Sequence, residues 1–175
     1  MFAVGADGPG RVAALTAALL DVDANLLDCS MTILSGHFAV VLVLDTDRDR
    51  DAIERALAPV AEQLELAVTV RAMAPSATRD ATQAAGGETH VVSVHGADRP
   101  GIVARVAAAL AARGVNIVDL ATRRVGAADD PAYVMTVEVV LPPELAPDVI
   151  ADDLGRLRAE LGVDAHIHAV DADIL

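Results

Sequence analysis

Apolar residues along this chain keep two spacings. Val12, Leu15 and Leu19 stand three and four apart, the period of a helix with one buried stripe, and Val103, Val106 and Leu110 repeat that spacing further on. Leu64, Leu66, Val68 and Val70 alternate with Glu65, Ala67, Thr69 and Arg71, the period of a half-buried strand. Read in order, the pattern predicts a strand over 1–5, a helix from Pro9 to Asp23 and a strand from Asn25 to Leu34. A tight turn at Ser35-Gly36, a Val-rich strand from Phe38 to Leu44, a helix from Asp49 to Gln63 containing Pro59, and the alternating strand complete the set. The element order is β-α-β-β-α-β.

Residues 74–88 (A-P-S-A-T-R-D-A-T-Q-A-A-G-G-E) have no apolar period and read as a linker. The order then starts again: strand 89–95, helix 100–113, strand 115–125, strand 132–141, helix 144–161, strand 163–170. The repetition extends to single letters. Gly5-Ala6-Asp7-Gly8-Pro9-Gly10 returns as Gly96-Ala97-Asp98-Arg99-Pro100-Gly101, and the register from Gly5/Gly96 holds without a gap to Asp28/Asp119. The chain is thus expected to hold two units, 1–73 and 89–175. The fold class is α+β, each unit an antiparallel four-stranded sheet with two helices on one face.

Differences between the copies carry information too. The positions of Arg11 against Ile102 and of Ala14 against Arg105 are expected off the buried stripe. Tyr133 answers Phe38, so the second hairpin is longer around Gly126 to Pro131, as exposed loop tips allow. The opening strand of the first copy is the shorter one, and only Phe2 and Val4 share a face there. That points to a start upstream or to a frayed first strand.

The repeated phrase is the best candidate for chemistry. Pro9 and Pro100 suit a first helical residue, where a missing amide hydrogen costs nothing. Gly10 and Gly101 leave the turn bare, so that free helix-start amides and the positive end of the helix dipole can meet an anion such as a carboxylate. Asp7 and Asp98 stand just before, with two roles open to them: capping the turn, or receiving an ammonium group. A zwitterion suits both ends. Asn25 and Asn116 are either turn residues or further polar contacts for the same ligand.

Composition narrows the remaining classes. With 54% apolar and 22% charged residues the chain is globular, yet Phe2, Phe38 and Tyr133 are its only aromatics. A net charge of −13 and so few stacking residues argue against an RNA-recognition module or any direct hold on nucleic acid. One cysteine, Cys29, excludes an internal disulfide and a paired-cysteine metal loop; it suits a reducing cytoplasm and is expected as a small packing residue. Asp164, His166 and His168 alternate with Val163, Ala165 and Ile167, the pattern of a solvated face rather than a metal site. His37, His90 and His95 form no cluster with them. No apolar run is long enough to span a bilayer and no start resembles a signal peptide, so a cytoplasmic location is expected. The glycine spacing is wrong for a dinucleotide fold, and no nucleophile–base pair stands out. The chain is expected not to be an enzyme, and to need neither metal nor cofactor.

A strand ending in G-A-D-R-P-G-I-V, then a helix, then G-V-N-I-V-D-L at Gly114 to Leu120, resembles the ACT domain, a small ligand-binding module attached to many enzymes of amino-acid metabolism. The resemblance covers both halves, and in the first copy Gly8 replaces the usual arginine. The bare two-unit layout with N-L-L-D-C-S-M at Asn25 to Met31 resembles the glycine-cleavage-system repressor group of tandem ACT proteins. It implies an allosteric amino-acid sensor whose ligand, glycine or serine favoured, binds between paired units. Carried onto this chain, the binding positions are Asp7, Pro9, Gly10 and Asn25, and Asp98, Arg99, Pro100, Gly101 and Asn116. It further implies a homodimer and a protein partner, a transcription factor or a metabolic enzyme. A ligand-free scaffold or a detached regulatory subunit is the alternative.

Overall fold

The computed structural model describes residues 1–73, 87–127 and 130–170. The chain divides into two compact units, Met1–Ala77 and Thr78–Leu175. In the first, β1 (Phe2–Ala6), α1 (Arg11–Leu20), β2 (Asn25–Leu34), β3 (His37–Asp45), α2 (Arg50–Gln63) and β4 (Ala67–Thr69) follow one another. The second repeats the order as β5 (Thr89–Ala97), α3 (Ile102–Ala112), β6 (Asn116–Ala127), β7 (Asp130–Val140), α4 (Pro147–Leu161) and β8 (Val163–Ala169). The sheets run β2-β3-β1-β4 and β6-β7-β5-β8, with every neighbouring pair antiparallel. This is the expected α+β architecture, a ferredoxin-like unit twice over. The linker expected over 74–88 lies outside the described residues, apart from Gly87 and Glu88.

Local chemistry sets the element ends. Asp49 caps α2, its carboxylate accepting from the Ala52 amide at 2.7 Å. Ser35 and Gly36 both take positive φ, the backbone a two-residue hairpin needs to match strand twist. Gly162 closes α4 in the left-handed conformation. Pro59 is carried inside α2 without ending it.

Each core lies between one sheet face and its two helices. In the first unit Phe38, Val40 and Leu42 of β3 and Ala3 of β1 meet Leu15 and Leu19 of α1 and Ile53 and Leu57 of α2. In the second, Val92, Val94, Met135, Val137 and Val139 meet Ile102, Val106, Leu110, Ile150 and Leu154.

Several expectations are corrected here. The helices begin at Arg11 and Ile102, two residues after the prolines, because Gly10 and Gly101 intervene as N-caps. Leu15, Leu19, Val106 and Leu110 are buried as the expected stripe has them, but its first position is one residue off: Ile102 is buried and Arg11 half-buried, while Val12 and Val103 are exposed. The fourth strand is only Ala67–Thr69, since Leu64 still closes α2. Cys29 is exposed rather than packed, as is every residue of the edge strand β2.

Phe2 and Val4 do share a face, but it is the uncovered one; Met1 and Ala3 point to the core. The two units differ on that open side. Phe2 lies in register between Val41 and Thr69, whereas its counterpart Ser93 lies between Thr136 and His166. Asp164, His166 and His168 are exposed there, as their alternation predicts.

Candidate functional site: the turn after the first strand and its repeat

The turn between β1 and α1 is held by the Asp7 amide, which donates to the Gly36 carbonyl at 2.8 Å. Gly10 then takes φ 83° and Gly101 φ 95°, and neither helix has a side-chain cap. The capping role open to Asp7 and Asp98 is therefore not the one they fill. The first helical hydrogen bonds are Ala14 N to Gly10 O and Arg105 N to Gly101 O, both 2.9 Å. The three amides that open each helix, those of Arg11, Val12 and Ala13 in α1, precede that bond and have no intrahelical acceptor. A Cβ placed on Gly10 or Gly101 would meet nothing within 4 Å. Positive φ, not crowding, demands glycine at these positions, and the space over the turn is open.

The carboxylates differ between copies. Asp98 pairs with Arg124 of β6 at 2.8 Å. Asp7 is exposed and, among the described residues, its carboxylate has neither an ion pair nor a hydrogen bond. The reason is in the repeat register, where Ile33 stands at the position of Arg124.

The arginines differ as well. Arg99 was a candidate partner for a ligand carboxylate, but its Nη1 donates to the Leu161 carbonyl at 3.2 Å, beside Gly162. In the first unit Gly8 leaves that place empty and Arg11 reaches into it from the helix. Its Nη1 donates to the Leu64 carbonyl at 2.6 Å, and a Cβ on Gly8 would lie 3.3 Å from its Nε. That Nε is buried and, among the described residues, has no partner.

Around the first turn lies an open groove of about 640 Å³ lined by Asp7, Gly10, Val12, Met31, Ile33 and Phe38, with Pro9 and Arg11 beside them. Asn25 and Asn116 are not brought to the turns of their own units. Ala6 and Leu34 both pair with His37, but Asn25 pairs with Asp45 at the other end of β3. Eight residues of strand, roughly 27 Å, separate the two ends. Asn116 likewise pairs with Val140, while Ala97 pairs with Ala132. Met31, Ile33 and Arg124, which do border the turns, escaped the sequence reading because a strand partner supplies them. The loss of identity between the copies beyond Asp28 and Asp119, where Ile33 answers Arg124, was the signal that could have found them.

Among the described residues no group of three or more His, Cys, Asp or Glu is placed to hold a metal ion, and no helix is long and apolar enough to cross a membrane.

Comparison with known proteins agrees with this arrangement of turn, helix and sheet. One ACT-domain pattern matches residues 90–152 and a second matches residues 2–71. The UPF0237 protein YjhC of Lactococcus lactis subsp. lactis (strain IL1403) is 36% identical over 69 residues, which span 39% of this chain and 79% of that protein. The chain belongs to the ACT-domain family. Among solved structures it is similar to an unknown protein from Galdieria sulphuraria, with a TM-score of 0.76 and 27% identity over 97% of this chain and 96% of the other. It also shares its fold with a candidate glycine cleavage system transcriptional repressor, at a TM-score of 0.70 and 14% identity over 97% and 95% of the two chains. Tandem ACT units with a ligand-binding regulatory role are the class these findings define.

Proposed function

We propose that the chain is an amino-acid-responsive regulator, not an enzyme, in which a small amino acid binds at the turn after the first strand of a unit and alters the hold on a protein partner. The observation that carries this reading is the open turn itself. Gly10 and Gly101 expose helix-start amides under empty space, the setting in which a carboxylate is held. Asp7 at the same turn offers the complementary charge for an ammonium group. Pro9 and Pro100 stiffen the approach to the turn. Asn25 and Asn116, far from the turns of their own units, belong in the site only if they are presented to another unit's turn.

The uncovered edge strand β2, with Leu26, Leu27, Met31, Ile33 and Leu34 all exposed, supports pairing of the chain as a homodimer. A net charge of −13 supports action through a protein, a transcription factor or a metabolic enzyme, rather than on nucleic acid, and the cytoplasm is the fitting location. Transcriptional control of glycine cleavage is one form we propose for this role, a reading supported by the candidate repressor that shares the fold. A second reading, a ligand-free interaction scaffold, is favoured by the Asp98–Arg124 pair, which satisfies that carboxylate without a ligand.

The test is a thermal-shift panel of the twenty amino acids on the whole chain and on its Asp7→Asn and Asp98→Asn variants. A ligand at a hundred times its dissociation constant raises stability by about 2.7 kcal/mol, a shift of a few degrees for a chain of this size. Such a shift, lost in one of the variants, upholds the sensor. No shift with any amino acid leaves the scaffold.

A further inference from the structure

The geometry points to two chemically different turns: the first unit binds an amino acid with an aliphatic side chain, and the second does not. This inference rests on the amino-acid-binding reading above and names the ligand class. In the first unit the polar groups at the groove are few and opposite in sign. The Asp7 carboxylate is exposed and uncompensated among the described residues, while the free amides of Arg11, Val12 and Ala13 supply the positive side; the Arg11 guanidinium is turned away to the Leu64 carbonyl. That is the charge pattern of a zwitterion. The remaining wall is apolar: Val12, Met31 and Ile33 are 40%, 47% and 53% exposed, with Phe38 beneath them. A groove of about 640 Å³ leaves room well beyond the glycine or serine expected from the resemblance.

In the second unit the same register places Thr122 for Met31, Arg124 for Ile33 and Tyr133 for Phe38. Arg124 neutralises Asp98, so an incoming ammonium group would have to displace a 2.8 Å ion pair, and an aliphatic side chain would meet a guanidinium. Two copies of one motif therefore offer one apolar zwitterion site and one whose carboxylate is paired with its own arginine.

The test is isothermal titration of the whole chain with L-leucine, L-isoleucine, L-methionine, glycine, L-serine and L-aspartate, repeated on Ile33→Arg and Asp7→Asn. Both replaced side chains are exposed, which keeps folding out of the result, and the oligomeric state of each variant is compared with the wild type because Ile33 also lies on the edge strand proposed to pair. The expected outcome is one aliphatic amino acid per chain, bound at least tenfold more tightly than glycine, serine or aspartate, with at least a tenfold loss in either variant. Equal or tighter binding of glycine, serine or aspartate, or unchanged leucine affinity in both variants, overturns the assignment while leaving the sensor reading intact. Absence of binding by all six, together with no response in the twenty-amino-acid panel, overturns both.

Discussion

Arg11 and Arg99 stand three positions apart in the repeat register, yet their guanidinium groups donate to equivalent carbonyls, those of Leu64 and Leu161, where the second helix of each unit ends. The residue that occupies each other's position is Ile102 or Gly8, so the two units carry an exchange rather than a loss: glycine with arginine on the helix in one, arginine with isoleucine in the other. Such helix-end carbonyls lack intrahelical donors, and a cation there also complements the helix dipole. Arg11→Ile should cost about 1.5–3 kcal/mol, the worth of a charge-assisted hydrogen bond. Gly8→Arg alone brings a second guanidinium onto the first and should also destabilise. The double variant recreates the arrangement of the second unit and should be less destabilised than the two single changes added together. Urea denaturation of the four proteins measures that coupling, and strict additivity would show that the exchange is incidental.

The same exchange shows what the sequence made legible. Element order, sheet topology and the location of the turns followed from spacing and from the repeat, because both are local or internal to the chain. The guanidinium contacts did not follow. A hydrogen bond from Arg11 to Leu64 joins residues far apart in sequence, and nothing in the helical period marks which arginine folds back. The first position of the stripe was misjudged by one residue for a related reason: glycine in the left-handed region sets where the helix starts, and a proline two residues earlier looked equally suited. Cys29 lies exposed because β2 is an edge strand, a property of sheet order that its own alternation does not disclose.

Positive φ separates the units in a way that stability measurements can read. Asp23 (φ 56°) and Glu65 (φ 53°) adopt left-handed backbone where the second unit has Gly114 (φ 70°) and Gly162 (φ 64°). Residues with a Cβ are strained there by about 1 kcal/mol or more, part of which glycine returns through its freer unfolded chain. Glu65→Gly should therefore raise stability by about 0.5–1 kcal/mol. Gly162→Glu should lower it by more, because Arg99 also lies 3.2 Å from the position its Cβ would take. Chemical denaturation at fixed pH checks both signs.

Gly96 is required by closeness rather than by φ. A Cβ there would stand 2.8 Å from Val163 Cγ1 and 3.1 Å from the Val163 Cα, and backbone cannot rotate away. Gly96→Ala should cost about 1–3 kcal/mol by forcing β5 and β8 apart. The equivalent change at Gly5 meets Leu66 Cδ2 at 2.6 Å and the Glu65 carbonyl at 2.9 Å, so a similar loss is expected in the first unit. Thermal unfolding of each variant, followed separately, tests whether the loss is confined to the altered unit.

Acid should act on the second unit through Asp153. This carboxylate, on α4, is held by Arg113 at 2.7 Å and by Arg156, and hydrogen bonding to the two guanidinium groups lowers its pKa from 3.8 to about 2. A carboxyl group whose pKa is depressed by folding stabilises the native state above its unfolded pKa and loses that contribution as pH falls through the folded one. With the side chain 15% exposed and its partners more so, screening holds the contribution to roughly 1 kcal/mol. Asp153→Asn keeps the shape and removes the charge. The stability gap between wild type and variant should be constant from neutral pH down to about pH 5, narrow below pH 4, and close near pH 2. A gap that stays constant across that range would mean that packing, not the ion pair, fixes Asp153 against Arg113.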